Sequence, residues 1–375
     1  MSLRRWLCLP GVLALALAVV IAACDRPDPV AVQSPRAIRP AATVVPTPAG
    51  DLSITTVELQ VPAGRIGRPS AVNSAGVIVG AYEGVLPSGE AVAVRWNLAG
   101  SWTALPLPTV CAGGLSQALG VSEAGDIVGV CAVKVGEDYV NYAILWPKGG
   151  APVVLSTPAG TKDAIAQDVN SKGDVVGNIV NASDQYVPVL WSKGQIQILT
   201  QPTGSSETFA DRITNAGLVL GSTVSLPGRP VLWEKGVPRY LETPAAYTGS
   251  SANGINAAGI AVGKAARTEP TYESVPLRWD RNGVASVLPI GGDDPGPTAI
   301  SGGGWVVGSY GACLAYECAF LWSEALGTVV LSFPNMPTAI ALAISDNGYI
   351  AGYNGGLSAA PALLWIVKLT PLATP

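Results

Sequence analysis

Residues 252–279 read Ala252, then Gly254-Ile255-Asn256-Ala257-Ala258-Gly259-Ile260-Ala261-Val262-Gly263, then a polar loop, then Val275-Pro276-Leu277-Arg278-Trp279. The same succession of an aliphatic residue, Asn, Ser or Thr, two spacers, Gly, a short apolar run, Gly, a loop, a second apolar run and Trp recurs along nearly the whole chain. The marker pairs are Gly80/Trp96, Gly129/Trp146, Gly177/Trp191, Gly221/Trp233, Gly263/Trp279, Gly308/Trp322 and Gly352/Trp365. Successive Trp markers lie 50, 45, 42, 46, 43 and 43 residues apart. At that period each repeat is one supersecondary unit that cannot bury its apolar face alone, so stacked copies form one domain.

Each unit holds four short apolar runs bounded by Gly, Asn and Pro, too short and too β-branched for helices. Strand A ends in the aliphatic-Asn step, as at Val72-Asn73. Strand B precedes the marker Gly, strand C ends at the Trp, and strand D ends in Leu at Leu105, Leu155, Leu199, Leu241, Leu288 and Leu331. Between A and B, Asn or Ser can accept a backbone hydrogen bond from two residues on. The Gly three positions later (Gly76, Gly125, Gly173, Gly217, Gly259, Gly304, Gly348) suits the left-handed position of a type I turn with a G1 bulge.

Four antiparallel strands per unit at this period predict an all-β, seven-bladed β-propeller. A linear β-solenoid is the rival, and the chain ends discriminate. Residues 54–61, Ile-Thr-Thr-Val-Glu-Leu-Gln-Val, form a strand D with no A, B or C before it, whereas Ile366-Val367-Lys368-Leu369 follows Trp365 without a Gly turn. The N-terminal strand therefore completes the last blade and closes the ring, leaving no unpaired edge.

Residues 1–23 read as an export signal, with Arg4-Arg5 before a long apolar run, and Ile21-Ala22-Ala23-Cys24 resembles a bacterial lipobox. That resemblance implies cleavage before Cys24 and a diacylglycerol on its sulfur; the plainer reading is an ordinary secretory leader or an uncleaved anchor. Residues 24–50 carry Pro27, Pro29, Pro35, Pro40, Pro46 and Pro48 with no periodic apolar face, the composition of an extended tether. The propeller spans residues 51–370, and 371–375 form a tail.

Loss of Arg4 and Arg5 with the leader moves the formal balance of 22 basic and 26 acidic residues from −4 to −6. An acidic surface without basic clusters argues against nucleic acid. The chain has no histidine, which excludes Ser-His-Asp and Cys-His catalysis and any His-ligated metal. No metal or other cofactor is expected, and the ring is expected to be monomeric. In an exported protein the four cysteines left after Cys8 and Cys24 suggest two disulfides. Cys313 and Cys318 share one loop, and Cys111 and Cys131 lie at the same end of one hairpin; a redox or metal role is the sharper alternative, but neither spacing is CxxC.

The units resemble the HAF repeats of bacterial extracellular proteins, named for a His-Ala-Phe core before Leu-Trp. The resemblance spans residues 71–365 and is closest at Cys318-Ala319-Phe320-Leu321-Trp322, with Tyr142-Ala143-Ile144-Leu145-Trp146 and Pro361-Ala362-Leu363-Leu364-Trp365 as further copies. The naming His is missing from every copy. The resemblance implies an extracellular location and a repeat architecture, and supplies no activity or catalytic residues.

The Trp markers, fixed at the end of strand C, are interblade packing residues and not a binding set. The A-to-B and C-to-D turns are tight and share one face; the B-to-C connections, which vary in length, emerge on the other, making it the candidate binding face. Tyr82, Tyr139, Tyr142, Tyr186, Tyr272, Tyr310, Tyr316 and Tyr353 fall between strands B and C, accompanied by Glu83, Glu137, Asp138, Asp184, Glu273 and Glu317. Tyr rings beside hydrogen-bonding groups suit recognition of sugars or protein surfaces; equally, Tyr favours strand ends and acids solubilise loops. Near the axis, Asp168 and Arg212 hold equivalent positions in neighbouring blades and are placed to pair. The expectation is a non-enzymatic binding or scaffolding module, lipid-anchored outside the cytoplasmic membrane, for a glycan or cell-envelope protein. No catalytic residue is assigned. The alternative is a carbohydrate-active hydrolase or lyase, for which Asp168 and Asp211 are the acids on or beside strand A.

Overall fold

The inner strand of each repeat is kinked, and that kink accounts for the marker glycines. The computed structural model describes residues 41–84, 90–269, 271–313, 316–331, 338–354 and 361–371. The expected leader, Cys24, most of the expected tether and residues 372–375 lie outside them. Within the described residues the chain forms seven antiparallel sheets, with one 3-10 turn at Thr109–Cys111. Six sheets are consecutive four-stranded blades: residues 65–104, 115–154, 163–198, 208–240, 249–287 and 293–330.

The seventh blade closes the ring as expected. Its strands A to C are Ile340–Ile344, Tyr349–Tyr353 and Ala362–Pro371, and its strand D is the N-terminal Gly50–Leu59, paired along its full length with Ala362–Pro371. One feature differs from expectation. Ala41–Thr47 pairs antiparallel with Gly50–Leu59 as a fifth, outermost strand, so the last part of the Pro-rich segment is sheet and not tether. Pro46 is tolerated because this is an edge strand, where a missing N–H interrupts no central ladder.

All seven turn glycines have positive φ, from 77° at Gly76 and Gly348 to 97° at Gly125. At Asn73 the side-chain oxygen accepts from the N–H groups of Ala75 and Val77, 3.1 and 3.0 Å away, and Asn170 and Asn256 repeat the pattern. Each strand A then carries an extra residue, a bulge opposite the marker Gly of strand B, and blade six has a second one between Asp293 and Gly296. A Cβ on Gly263 would sit 2.0 Å from the Ser251 carbonyl oxygen, and on Gly221 1.8 Å from that of Phe209. The marker is glycine because the bulged backbone occupies the space of a side chain.

The core lies between blades. Each Trp marker is buried against the preceding blade, as Trp146 is against Val79, Ala93 and Leu105 and Trp365 against Val307, Leu321 and Leu331. Five indole N–H groups also donate to the backbone just after the preceding strand D: Trp96 to Gln60, Trp146 to Pro106, Trp191 to Ser156, Trp233 to Thr200 and Trp279 to Glu242, at 2.6 to 2.7 Å. Cys111, in the 3-10 turn, is disulfide-bonded to Cys131 on strand B of blade two, as the sequence suggests. Cys318 is also disulfide-bonded. The side chain of Cys313, its expected partner, lies outside the described residues.

Candidate functional site

At the centre of the ring the seven A strands enclose a cavity of about 150 Å³. Ser70, Leu119, Asp168, Arg212, Ile255 and Leu342 line it, and small residues such as Ala71, Gly254 and Ala299 let the strands approach. Gly254 is required here, because a Cβ would lie 2.8 Å from the Ala299 Cα of the next blade. Asp168 and Arg212 do meet in this cavity, but not as the direct ion pair expected. The Asp168 carboxylate accepts from the Val169 and Ile213 N–H groups at 2.9 and 3.0 Å, while Arg212 Nη1 donates to the Asp211 carbonyl at 2.9 Å.

Burial among the strands raises the pKa of Asp168, against the opposing pull of Arg212 and the two amides. Asp211 is the bulge residue of blade four, and burial pushes its carboxyl up to about 7, with Arg212 again opposing. The residues at the same bulge in blades five and six show what this position does. Asn253 Nδ2 donates to the Pro297 carbonyl and Thr298 Oγ1 to that of Ala341, each at 2.8 Å and each in the following blade. Asp168 and Asp211 thus lie at a site of blade-to-blade bonding.

Away from the axis, the structure sorts the tyrosines into two groups. Most occupy strand ends rather than loops. Tyr139 and Tyr142 belong to a long hairpin of blade two, Ile127–Val135 with Asp138–Trp146, so most of its expected B-to-C connection is sheet. Tyr142 packs in the core beside Cys131, Tyr186 tilts against Phe209 at 4.8 Å, and exposed Asp184 pairs with Lys162 at 2.8 Å. Tyr310 is stacked on Phe320, 6.0 Å between centroids. The Tyr316 side chain lies outside the described residues.

Tyr272, Glu273, Tyr353, Glu83 and Tyr82 instead fall on blades five, seven and one. They flank a polar strip centred on a buried lysine. Lys264, 9 % exposed, donates to Asp294 Oδ1 at 2.8 Å. The same oxygen accepts from Tyr272 Oη at 3.1 Å and from the Ser274 hydroxyl. Burying an ammonium is costly unless it is paired and hydrogen-bonded, so this convergence fixes Asp294 in place. Burial alone would raise the Asp294 pKa, but bonds from Lys264 and Ser274 and the Lys264 charge hold it below its ordinary value.

The strip continues onto blade six and across the seam. Glu317 is raised by burial and by the nearby Asp294 charge, with Lys264 opposing. Its charge in turn acts on Tyr353, whose hydroxyl is raised chiefly by burial, with Glu317 and Glu83 adding and Arg68 opposing. The Arg68 guanidinium lies 4.7 Å from the Tyr353 ring centroid and 4.0 Å from Glu83. Tyr82 stands edge-on to Trp102 at 5.3 Å. Beside the strip, Glu273 accepts from Tyr247 Oη at 3.2 Å and pairs with Arg267. The arrangement presents rings, hydroxyls, carboxylates and a cation on one rim.

Lys264 and Arg68 are absent from the sequence-based candidates, though for Lys264 a signal exists. The residue after each marker Gly is Ala81, Val130, Asn178, Ser222, Lys264, Ser309 and Tyr353, so the lysine and the tyrosine stand out in a mostly small series. Among the described residues no group of three or more His, Cys, Asp or Glu could hold a metal, and no helix is long and apolar enough to cross a membrane.

No family model matches the chain, and no curated relative matches its sequence. Solved structures do resemble it. The acylaminoacyl peptidase of Pyrococcus horikoshii is 11 % identical with a TM-score of 0.50, over 81 % of this chain and 52 % of that one, so the chain spans about half of the peptidase. TolB from Acinetobacter baumannii is 13 % identical (TM-score 0.45, 76 % and 80 % covered), and a gluconolactonase from Xanthomonas campestris 14 % (TM-score 0.38, 92 % and 99 % covered). At such identities the likeness is one of fold.

Proposed function

We propose that this propeller is a non-enzymatic recognition module that binds a glycan or a cell-envelope protein through the strip running from Tyr272 to Glu83. The observation that carries the reading is the convergence of Lys264, Tyr272 and Ser274 on one oxygen of Asp294. Such a preorganised hydrogen-bonding centre, set beside Tyr353 and Arg68, is suited to a ligand with many hydroxyl or amide groups. Export and anchoring through Cys24 belong to the same proposal and rest on the leader's sequence and on the resemblance to HAF repeats. On this reading the ring stands outside the cytoplasmic membrane, where glycans and envelope proteins are the available partners.

The test is binding of the purified protein to a polysaccharide and peptidoglycan array and to an envelope extract, beside Tyr272→Ala/Asp294→Ala. Saturable binding lost in the variant supports the reading; binding indifferent to the substitutions refutes it.

A hydrolase reading is favoured by one observation. Asp294 is held low while Glu317 beside it is raised, the divergence expected of a base and an acid that share a site. Turnover of a bound glycan that Glu317→Gln abolishes without weakening binding would favour it over recognition alone.

A further inference from the structure

The face bearing the A-to-B turns, at the other ends of the strands from Tyr272, carries a concavity of about 410 Å³ between blades six and seven. Ser301, Gly303, Trp305, Asp346, Asn347 and Lys368 are among its lining residues. Two irregularities of the ring build it.

The first is the turn of blade six. Its two spacer positions hold Ser74-Ala75, Glu123-Ala124, Ser171-Lys172, Asn215-Ala216, Ala257-Ala258 and Asp346-Asn347 in the other blades, but Gly302-Gly303 here. Gly302 has a local reason: a Cβ would lie 3.0 Å from the Asp346 carboxylate. Gly303 has none. Its φ is not in the left-handed region, and the nearest atom to a Cβ would be Ser301 Oγ at 3.9 Å. Glycine costs backbone entropy wherever another residue would fit. Its structural effect at 303 is to leave the rim open beside Trp305, which stands where other blades have Val77, Asp126, Asp174, Leu218, Ile260 or Tyr349.

The second irregularity is blade seven's strand C. Elsewhere strand C stops at the Trp or one residue later, but Ala362–Pro371 continues six residues beyond Trp365, supported by Gly50–Leu59. This extension brings Val367, Lys368 and Leu369 up as a wall of the concavity.

The chemistry of the lining is mixed in a specific way. Trp305 is half-buried against the core of blades six and seven, and its indole N–H makes no hydrogen bond among the described residues. Asp346 Oδ1 accepts from the Gly302 N–H at 2.5 Å, leaving Oδ2 available. Asn347 Nδ2 is committed to the Ser74 carbonyl at 2.7 Å, leaving its oxygen. Lys368 is exposed. An anion would meet Asp346 and a cation would meet Lys368, while a purely apolar ligand would leave both rims unsatisfied. A pyranose ring has an apolar C–H face for the indole and hydroxyls that both donate and accept. The volume falls in the small-ligand range of about 300 to 1,000 Å³.

We propose that this concavity is a second binding site, taking one or two sugar rings of a carbohydrate, with a ring stacked on Trp305 and hydroxyls bonded to Asp346 and Lys368. It stands independently of the strip around Tyr272. The test is fluorine NMR of the full chain labelled with 5-fluorotryptophan, the Trp305 resonance being assigned by its loss in Trp305→Phe. Chitotetraose, cellotetraose, maltotetraose and laminaritetraose are the probes, added at millimolar concentration. At least one is expected to shift the Trp305 resonance saturably. Gly303→Val should weaken that response at least about tenfold by filling the rim, and Lys368→Ala, at an exposed position, by about fivefold, the loss of roughly one hydrogen bond. Tyr272→Ala should leave it unchanged. A Trp305 resonance unmoved by all four probes, or a response that survives both Gly303→Val and Lys368→Ala, overturns the proposal.

Discussion

The side-chain amide of Asn73 donates to the backbone carbonyl of Ser122, 2.9 Å away in the next blade. The bond recurs from Asn170 to Thr214 and from Asn256 to Ser301. Blades one, three and five thus supply Asn, and blades two, four and six supply the Ser or Thr carbonyl. An odd number of blades breaks this alternation at the seam. There blade seven carries Ser345, and it is Asn347 that donates to Ser74 of blade one. The same Asn residues organise their own turns, so one residue type serves local and interblade order together.

Asn256→Ala should therefore cost more than loss of a turn. It removes both turn acceptor bonds and leaves the buried Ser301 carbonyl without its donor. A destabilisation of about 2 to 3 kcal/mol is expected in denaturant titration. Asn347→Ala, at an exposed turn, should cost under about 1 kcal/mol. Equal costs would refute this account of the turns.

Two glycines of one blade separate steric from conformational demand. At Gly177 a Cβ would meet the Ile165 carbonyl at 2.0 Å, whereas Gly173 has φ of 79° and nothing within 4 Å. Gly177→Ala should destabilise by about 3 kcal/mol or more, and Gly173→Ala by about 1 to 2 kcal/mol through the left-handed backbone alone. Thermal melts of the two variants give the comparison.

Asp211 makes stability depend on pH in a defined direction. Its pKa is raised to about 7 in the folded chain from 3.8, so the native state holds the proton more tightly than the unfolded one. This group carries no penalty below about pH 4, and its contribution to stability falls as pH rises from there through 7. Asp211→Asn keeps the shape, stays neutral and can donate as Asn253 does. It should raise the melting temperature at pH 8 and change it little at pH 4; a pH-independent effect would count against the assignment.

The buried ion pair should respond unequally to its two partners. Lys264→Met replaces an 11 % exposed side chain with an apolar one of similar length but leaves Asp294, at 34 %, still in contact with water. Asp294→Ala leaves the ammonium buried and unpaired, and should cost about 3 kcal/mol, more than Lys264→Met. Chemical denaturation of both variants decides it.

Reduction of the Cys111–Cys131 disulfide should lower stability by about 3 kcal/mol, since the bond spans 20 residues of sequence. Cys111→Ala/Cys131→Ala should reproduce the loss without reductant, and adding reductant to the variant should leave only the response of the disulfide at Cys318.

The number of blades, their four strands, the turn glycines and the closing N-terminal strand were legible in the chain because each is a local pattern repeated seven times. Trp markers and D-strand leucines announced the interblade core for the same reason: one buried position per repeat has to be filled identically. The candidate sites were only partly legible, because each breaks the repeat. Lys264 and Gly303 stand out once the copies are aligned, yet nothing local says that Lys264 meets an aspartate 30 residues on in another blade, or that Gly303 faces the extended strand at the seam. The fifth strand, Ala41–Thr47, was hidden because a proline-rich edge strand carries no apolar alternation. Periodic burial is imposed residue by residue and so is written into the sequence. Which loops and strand ends converge on one face depends on the curvature and closure of the ring, and only the tertiary structure decides that.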